Sequence, residues 1–129
     1  MPRIQRFEDF EAWQKARQLT NVLYGLTSNG LFARDFVLRD QVRRAAVSVM
    51  ANIAEGYERG GDKEFVQFLS VAKGSCGELR SHLCVALDQR YLTEAQHRVA
   101  CDKAMEVSRL LSGLIRYLRQ SPMRGSKYK

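Results

Sequence analysis

A chain of 129 residues with 45% hydrophobic and 27% charged side chains has the ordinary composition of a globular protein, long enough for one domain with a real core. Its apolar runs reach only a few residues, as at Ala45-Ala46-Val47, far short of the roughly 20 needed to cross a membrane. The start Met1-Pro2-Arg3-Ile4-Gln5-Arg6 lacks the apolar stretch of a secretion signal, so a cytoplasmic protein is expected.

Prolines stand only at Pro2 and Pro122, and nothing between them forbids long helices. The first predicted helix covers residues 8–27. Phe10, Trp13, Ala16, Val22 (with Leu19), Leu23 and Leu26 recur at three-to-four-residue steps and make one apolar stripe. Glu8, Asp9 and Glu11 suit the positive end of the helix dipole, and Ser28-Asn29-Gly30 supplies the stop. The second covers 35–58 on Leu38, Val42, Ala45 or Ala46, Val49, Ile53 and Tyr57, and ends at Arg59-Gly60-Gly61. The third opens at Asp62, a plausible cap, and carries Phe65, Phe68, Leu69, Ala72, Cys76, Leu79, Leu83, Ala86 and Leu87. Gly74 and Gly77 lie inside it and are read as a close crossing with another helix. Thr93-Glu94-Ala95-Gln96 matches a capping box and opens the fourth helix, residues 93–119, on Ala100, Ala104 or Cys101, Val107, Leu111 with Leu110, Leu114 and Leu118.

The connections 28–34, 59–61 and 90–92 are short, and short links between long helices make antiparallel neighbours. The predicted fold is all-α: an antiparallel up-down-up-down four-helix bundle over residues 1–120, followed by a short, basic, flexible tail at 121–129. Cys76, Cys84 and Cys101 are odd in number and contain no CxxC, so they are read as small, reduced core residues.

Net charge is +7, which favours anionic partners such as RNA or DNA. Past Glu106 the chain has no acidic residue, while Arg109, Arg116, Arg119, Arg124, Lys127 and Lys129 all lie there. These are the main candidates for phosphate contacts, with Tyr117 and Tyr128 available to stack on bases; the alternative is a solvated face with a basic end. Arg39 and Arg43 form a second candidate patch. Asp35 and Asp40 stand three or four residues before Arg39, Arg43 and Arg44, so internal pairing is the preferred reading there.

Arg44, Ser48, Asn52, Glu55 and Glu78 are read as a polar network fixing helix register, in preference to a catalytic pair of Glu55 and Glu78. His97 and Cys101 share a helix face but lack further ligands, so no metal is expected. No Gly-rich phosphate loop, nucleophile elbow or HExxH occurs, and neither a cofactor nor catalysis is expected. Phe7, Phe10, Trp13 and Tyr24 are assigned to the core seam of the first helix.

Three segments resemble the bacterial four helix bundle protein family, whose members were first noticed as products of intervening sequences in large-subunit ribosomal RNA genes. They are Phe7-Glu8-Asp9-Phe10-Glu11-Ala12-Trp13-Gln14-Lys15-Ala16-Arg17, the stretch from Gln41-Val42-Arg43-Arg44 through Ala54-Glu55-Gly56-Tyr57, and, on the third helix, Lys63-Glu64-Phe65 through Phe68-Leu69, then Ala72-Lys73-Gly74-Ser75 and Glu78-Leu79. The resemblance covers about residues 7–92. It departs at Met50, where the family's usual proline would kink the helix, so a straighter helix is expected here. The resemblance implies the same bundle and a ring-like homo-oligomer, five copies being the arrangement associated with the family. The architecture is also similar to the accessory protein of diversity-generating retroelements, which binds nucleic acid and a reverse transcriptase; a protein partner is thereby implied here too. The spacing of Arg90 and His97 is similar to the Arg–His signature of helical-bundle ribonucleases of the HEPN type, but it straddles a turn. The expected function is a non-enzymatic, self-associating bundle contacting nucleic acid. The alternatives are a scaffold that binds only protein and, less favoured, a HEPN-like ribonuclease.

Overall fold

The computed structural model describes residues 3–120. Helices form where the apolar stripes predict them: α1 at Glu11–Leu26, α3 at Phe36–Glu58, α4 at Asp62–Asp88 and α5 at Glu94–Gln120, with a short α2 at Gly30–Arg34. No strand occurs among the described residues. Each long helix packs on two others, α3 on α1 and α4, and α5 on α4 and α1. Their stripes meet in one continuous core in which Leu23, Val42, Val49, Ile53, Leu69, Leu79 and Leu111 are fully buried. With short links between consecutive helices, the arrangement is an all-α helical bundle. At 1.5 Å per residue, the 27 residues of α4 or of α5 span about 40 Å.

The two ends of the bundle are closed differently. At one end Phe10, Tyr57 and Phe65 meet edge to face, with centroids 5.3–6.0 Å apart. At the other, α2 turns the connection between α1 and α3 into a plug: its Phe32 is 1% exposed and stacks on Tyr91 at 5.4 Å. Burying that ring contributes about 1.5–3 kcal/mol. Gly30 at φ +63° takes the left-handed conformation expected of the Asn29-Gly30 stop.

Local boundaries differ from the predicted ones for identifiable reasons. Glu8 and Asp9 belong to a 3-10 turn, Phe7–Asp9, so only Glu11 stands in the first turn of α1. Asp9 instead accepts the backbone N–H groups of Gln5 and Arg6 through Oδ2, at 2.9 and 3.2 Å. Gly61 occupies the N-cap of α4, and Asp62 is its first helical residue. The capping box at α5 forms both ways: Gln96 N–H donates to Thr93 Oγ1 at 3.1 Å, and Thr93 N–H to Gln96 Oε1 at 2.9 Å. α3 runs unbroken through Met50, whose sulfur accepts from Thr20 Oγ1 at 3.4 Å.

The close helix approach lies at Gly56, not at Gly74 and Gly77. A Cβ at Gly56 would sit 2.6 Å from Phe68 Cβ and 3.0 Å from Phe65 Cδ1 on α4, whereas one at Gly74 or Gly77 would meet nothing within 4 Å. Two further assignments change with exposure. Cys76 is buried, but Cys84 is exposed and Cys101 half-buried. Tyr24 is exposed with Arg43 over its ring at 4.4 Å, while Phe7 and Trp13 pack edge to face against the core margin.

Candidate nucleic-acid interface

Gly74 and Gly77 are open because they floor a groove of about 830 Å³ between α4 and α5. Residues three, four and seven apart share a helix face. On α4 this places Ser70, Lys73, Gly74, Gly77 and Arg80 along one wall; on α5 it places Ser108, Ser112, Arg116 and Arg119 along the other. The floor is small and hydroxyl-bearing, and the rims are cationic. Lys73, Arg80, Arg116 and Arg119 are exposed, no carboxylate lines the groove, and none of the four forms an ion pair with a described residue. Four exposed cations around a floor that includes two glycines offer phosphate both charge and close approach.

Arg116 and Arg119, selected from the acid-free end of the chain, lie in this groove. Arg109 is exposed two turns before Arg116 on α5, outside the groove lining. Arg124, Lys127 and Lys129 lie outside the described residues. Lys73 and Arg80 are the groove residues that sequence reasoning missed. Their signal was present: a cation, two glycines and a second cation at Lys73, Gly74, Gly77 and Arg80 mark one helix face too small to fill a core.

The other basic patch is engaged internally. Arg39 Nε donates to Asp40 at 3.0 Å, its Nη1 to the Ala33 carbonyl at 3.2 Å, and its guanidinium covers the Phe36 ring at 4.8 Å. Arg43 donates to Thr27 Oγ1 at 2.8 Å and Ser28 Oγ at 3.2 Å. Of the two carboxylates the spacing suggested, Asp40 pairs with Arg39 in place of Arg43 or Arg44, and Asp35 instead caps α3 through the Leu38 N–H and accepts from Tyr91.

Of the residues read as a polar network, Ser48 and Asn52 are hydrogen-bonded together: Asn52 Nδ2 donates to the Ser48 carbonyl at 2.8 Å and to its hydroxyl at 3.0 Å. The Ser48 hydroxyl meets Ser75 on α4 at 3.1 Å. Glu55 pairs with Arg59 at 2.8 Å and Glu78 contacts His82 at 3.4 Å, both on exposed surface, so these two carboxylates have separate partners. Arg44 and Glu78 share only the rim of a small surface hollow with Ser48.

Arg90 lies in the turn between α4 and α5 and is exposed, with φ +64°. His97, on the first turns of α5, contacts Cys101 and Cys84 through Nε2, at 3.4 and 3.8 Å. Among the described residues no group of three or more His, Cys, Asp or Glu could hold a metal ion. Among them, too, no helix is long and apolar enough to cross a membrane.

The sequence model of the family described as "23S rRNA-intervening sequence protein" matches residues 8–113. Among solved structures, a protein of unknown function from the S23 ribosomal protein family of Bacteroides thetaiotaomicron is similar in fold. It is 22% identical with a TM-score of 0.74, over 81% of this chain and 97% of that one. No curated protein matches. Neither description indicates an enzymatic family.

Proposed function

As the chain belongs to the 23S rRNA-intervening sequence protein family, we propose that it works without catalysis of its own, as a helical scaffold holding RNA or DNA along the α4–α5 groove. The observation that carries this reading is the set Lys73, Arg80, Arg116 and Arg119 around a floor with no carboxylate. Cations left unpaired in a concave surface attract polyanions and release their counterions on binding. A fluorescence-anisotropy titration with RNA and DNA across a salt series tests it. Affinity that falls steeply with salt, and falls further when Lys73 and Arg116 are replaced together, supports the reading. Flat, negligible binding at low ionic strength refutes it.

A second observation favours self-association and protein partners. Leu31, Phe36 and Val37 are 63%, 62% and 71% exposed, close together in sequence where α2 meets α3. Apolar side chains grouped on a surface mark interaction sites. In a ring of copies, each groove would recur around one rim, and repeated weak phosphate contacts would add through multivalency. Sedimentation of the full chain, before and after Val37→Asp, tests the assembly: a monomer in both cases removes it.

A further inference from the structure

The helix faces that wall the basic groove continue beyond it to a cluster that nucleic-acid contact does not use. Cys84 stands one turn past Arg80 on α4, and Cys101 stands two turns before Ser108 on α5. His97 contacts both sulfurs: its Nε2 lies 3.4 Å from Cys101 Sγ and 3.8 Å from Cys84 Sγ. Two thiols from adjacent helices thus share one imidazole nitrogen. The three groups do not converge as a metal cage. We propose that Cys84 and Cys101 are a peroxide-oxidisable thiol pair that closes a reversible disulfide between α4 and α5, with His97 as the shared proton acceptor.

The differing environments divide the labour. Cys84 is exposed and meets the oxidant; Cys101 is half-buried, where desolvation raises its pKa, and serves as the resolving thiol. His97 takes the Cys84 proton, and the thiolate attacks a hydroperoxide: an S–O bond forms, the O–O bond breaks, and the leaving hydroxide takes up the proton as water. Cys101, deprotonated in turn by His97, attacks the Cys84 sulfenic sulfur. The S–S bond forms, the S–O bond breaks, and a second water leaves. Two thiols are oxidised by two electrons and one hydrogen peroxide is reduced to two waters. Arg80, within electrostatic reach of Cys101, favours its thiolate. Cys76 takes no part: it is buried, and burial pushes its thiol up to about 11.

The test treats the reduced full chain with hydrogen peroxide, then counts free thiols and maps linked peptides by mass spectrometry. The expected result is loss of two thiols in one chain, a Cys84–Cys101 link reversed by dithiothreitol, and Cys76 still free. Cys101→Ser should halt the reaction at oxidised Cys84, and His97→Gln should slow thiol loss by about tenfold or more. Oxidation of Cys84 to sulfinic acid with Cys101 still free, a link between two chains, or a rate indifferent to His97→Gln would each overturn the proposal. Cys84 is exposed, so Cys84→Ser keeps the fold and must abolish the link.

Discussion

The Tyr91 hydroxyl donates to Asp35 Oδ2 at 2.9 Å, joining the turn before α5 to the start of α3 across 56 residues of sequence. The other oxygen of Asp35 accepts the Leu38 N–H at 3.1 Å and caps α3. One carboxylate therefore serves a local and a long-range purpose. Asp35→Ala should cost about 1 kcal/mol for the cap and remove the tie as well, whereas Asp35→Asn keeps both geometries. Tyr91→Phe should lower the melting temperature by removing the tie alone. The hydrogen bond to Asp35 raises the Tyr91 pKa, so its contribution is complete below the unfolded phenol's value and is lost as pH rises through the raised one. Urea melts of native and Tyr91→Phe protein should differ by a constant amount at neutral pH and converge above about pH 10.

Glycine substitutions should split by location. Gly56→Ala forces a methyl against Phe68 and Phe65, and overpacking of this kind costs about 1–3 kcal/mol. Gly74→Ala and Gly77→Ala meet open space and should each stabilise α4 by about 0.5–1 kcal/mol. The same methyls would stand on the groove floor. Thermal melts should therefore rise for these two variants while nucleic-acid affinity falls; a rise in both would place the phosphate contacts away from the floor.

The bundle itself is legible in sequence because a helix buries one stripe and the stripe repeats every 3.6 residues; Leu69, Cys76, Leu79 and Leu83 on α4 announce themselves this way. α2 is not legible, since five residues are too few to show a period, and Phe32 is a plug only through Tyr91, far along the chain. The groove is half legible. Arg116 and Arg119 stand out because no acid follows Glu106, but Lys73 and Arg80 have Glu78 between them in sequence, and only the fold shows that it contacts His82 outside the groove lining. Gly74 and Gly77 mislead for a related reason: a missing side chain reads the same whether a neighbouring helix or solvent fills its place.

Arg90 is the single described non-glycine residue at positive φ, 64°, following the last turn of α4. The surrounding bonds explain it: Tyr91 N–H reaches the Ala86 carbonyl at 2.9 Å and Arg90 N–H the Leu87 carbonyl at 2.9 Å, the paired closure of a Schellman motif. That closure needs a left-handed residue, which costs a side chain about 1 kcal/mol. Arg90→Gly should relieve the strain and raise the melting temperature, partly offset by the greater freedom of glycine in the unfolded chain. Since Arg90 does not line the groove, replacing it should leave the salt dependence of nucleic-acid binding unchanged.

The charge on the groove should be countable from that salt dependence. Removing one phosphate-binding cation lowers the slope of log affinity against log salt by about 0.7–0.9. Lys73→Gln, Arg80→Gln, Arg116→Gln and Arg119→Gln should each take away about one such step, because none of the four forms an ion pair with a described residue. Arg43→Gln should change the slope little, since Thr27, Ser28 and the Tyr24 ring already engage that guanidinium. Arg109→Gln separates two arrangements of the bound strand. An unchanged slope confines the strand to the α4–α5 groove, while a slope lower by a full step would extend it over the exposed shoulder of α5. Equal reductions at Arg43 and at the groove cations would mean that the chain attracts nucleic acid through its net charge alone, with no preferred surface.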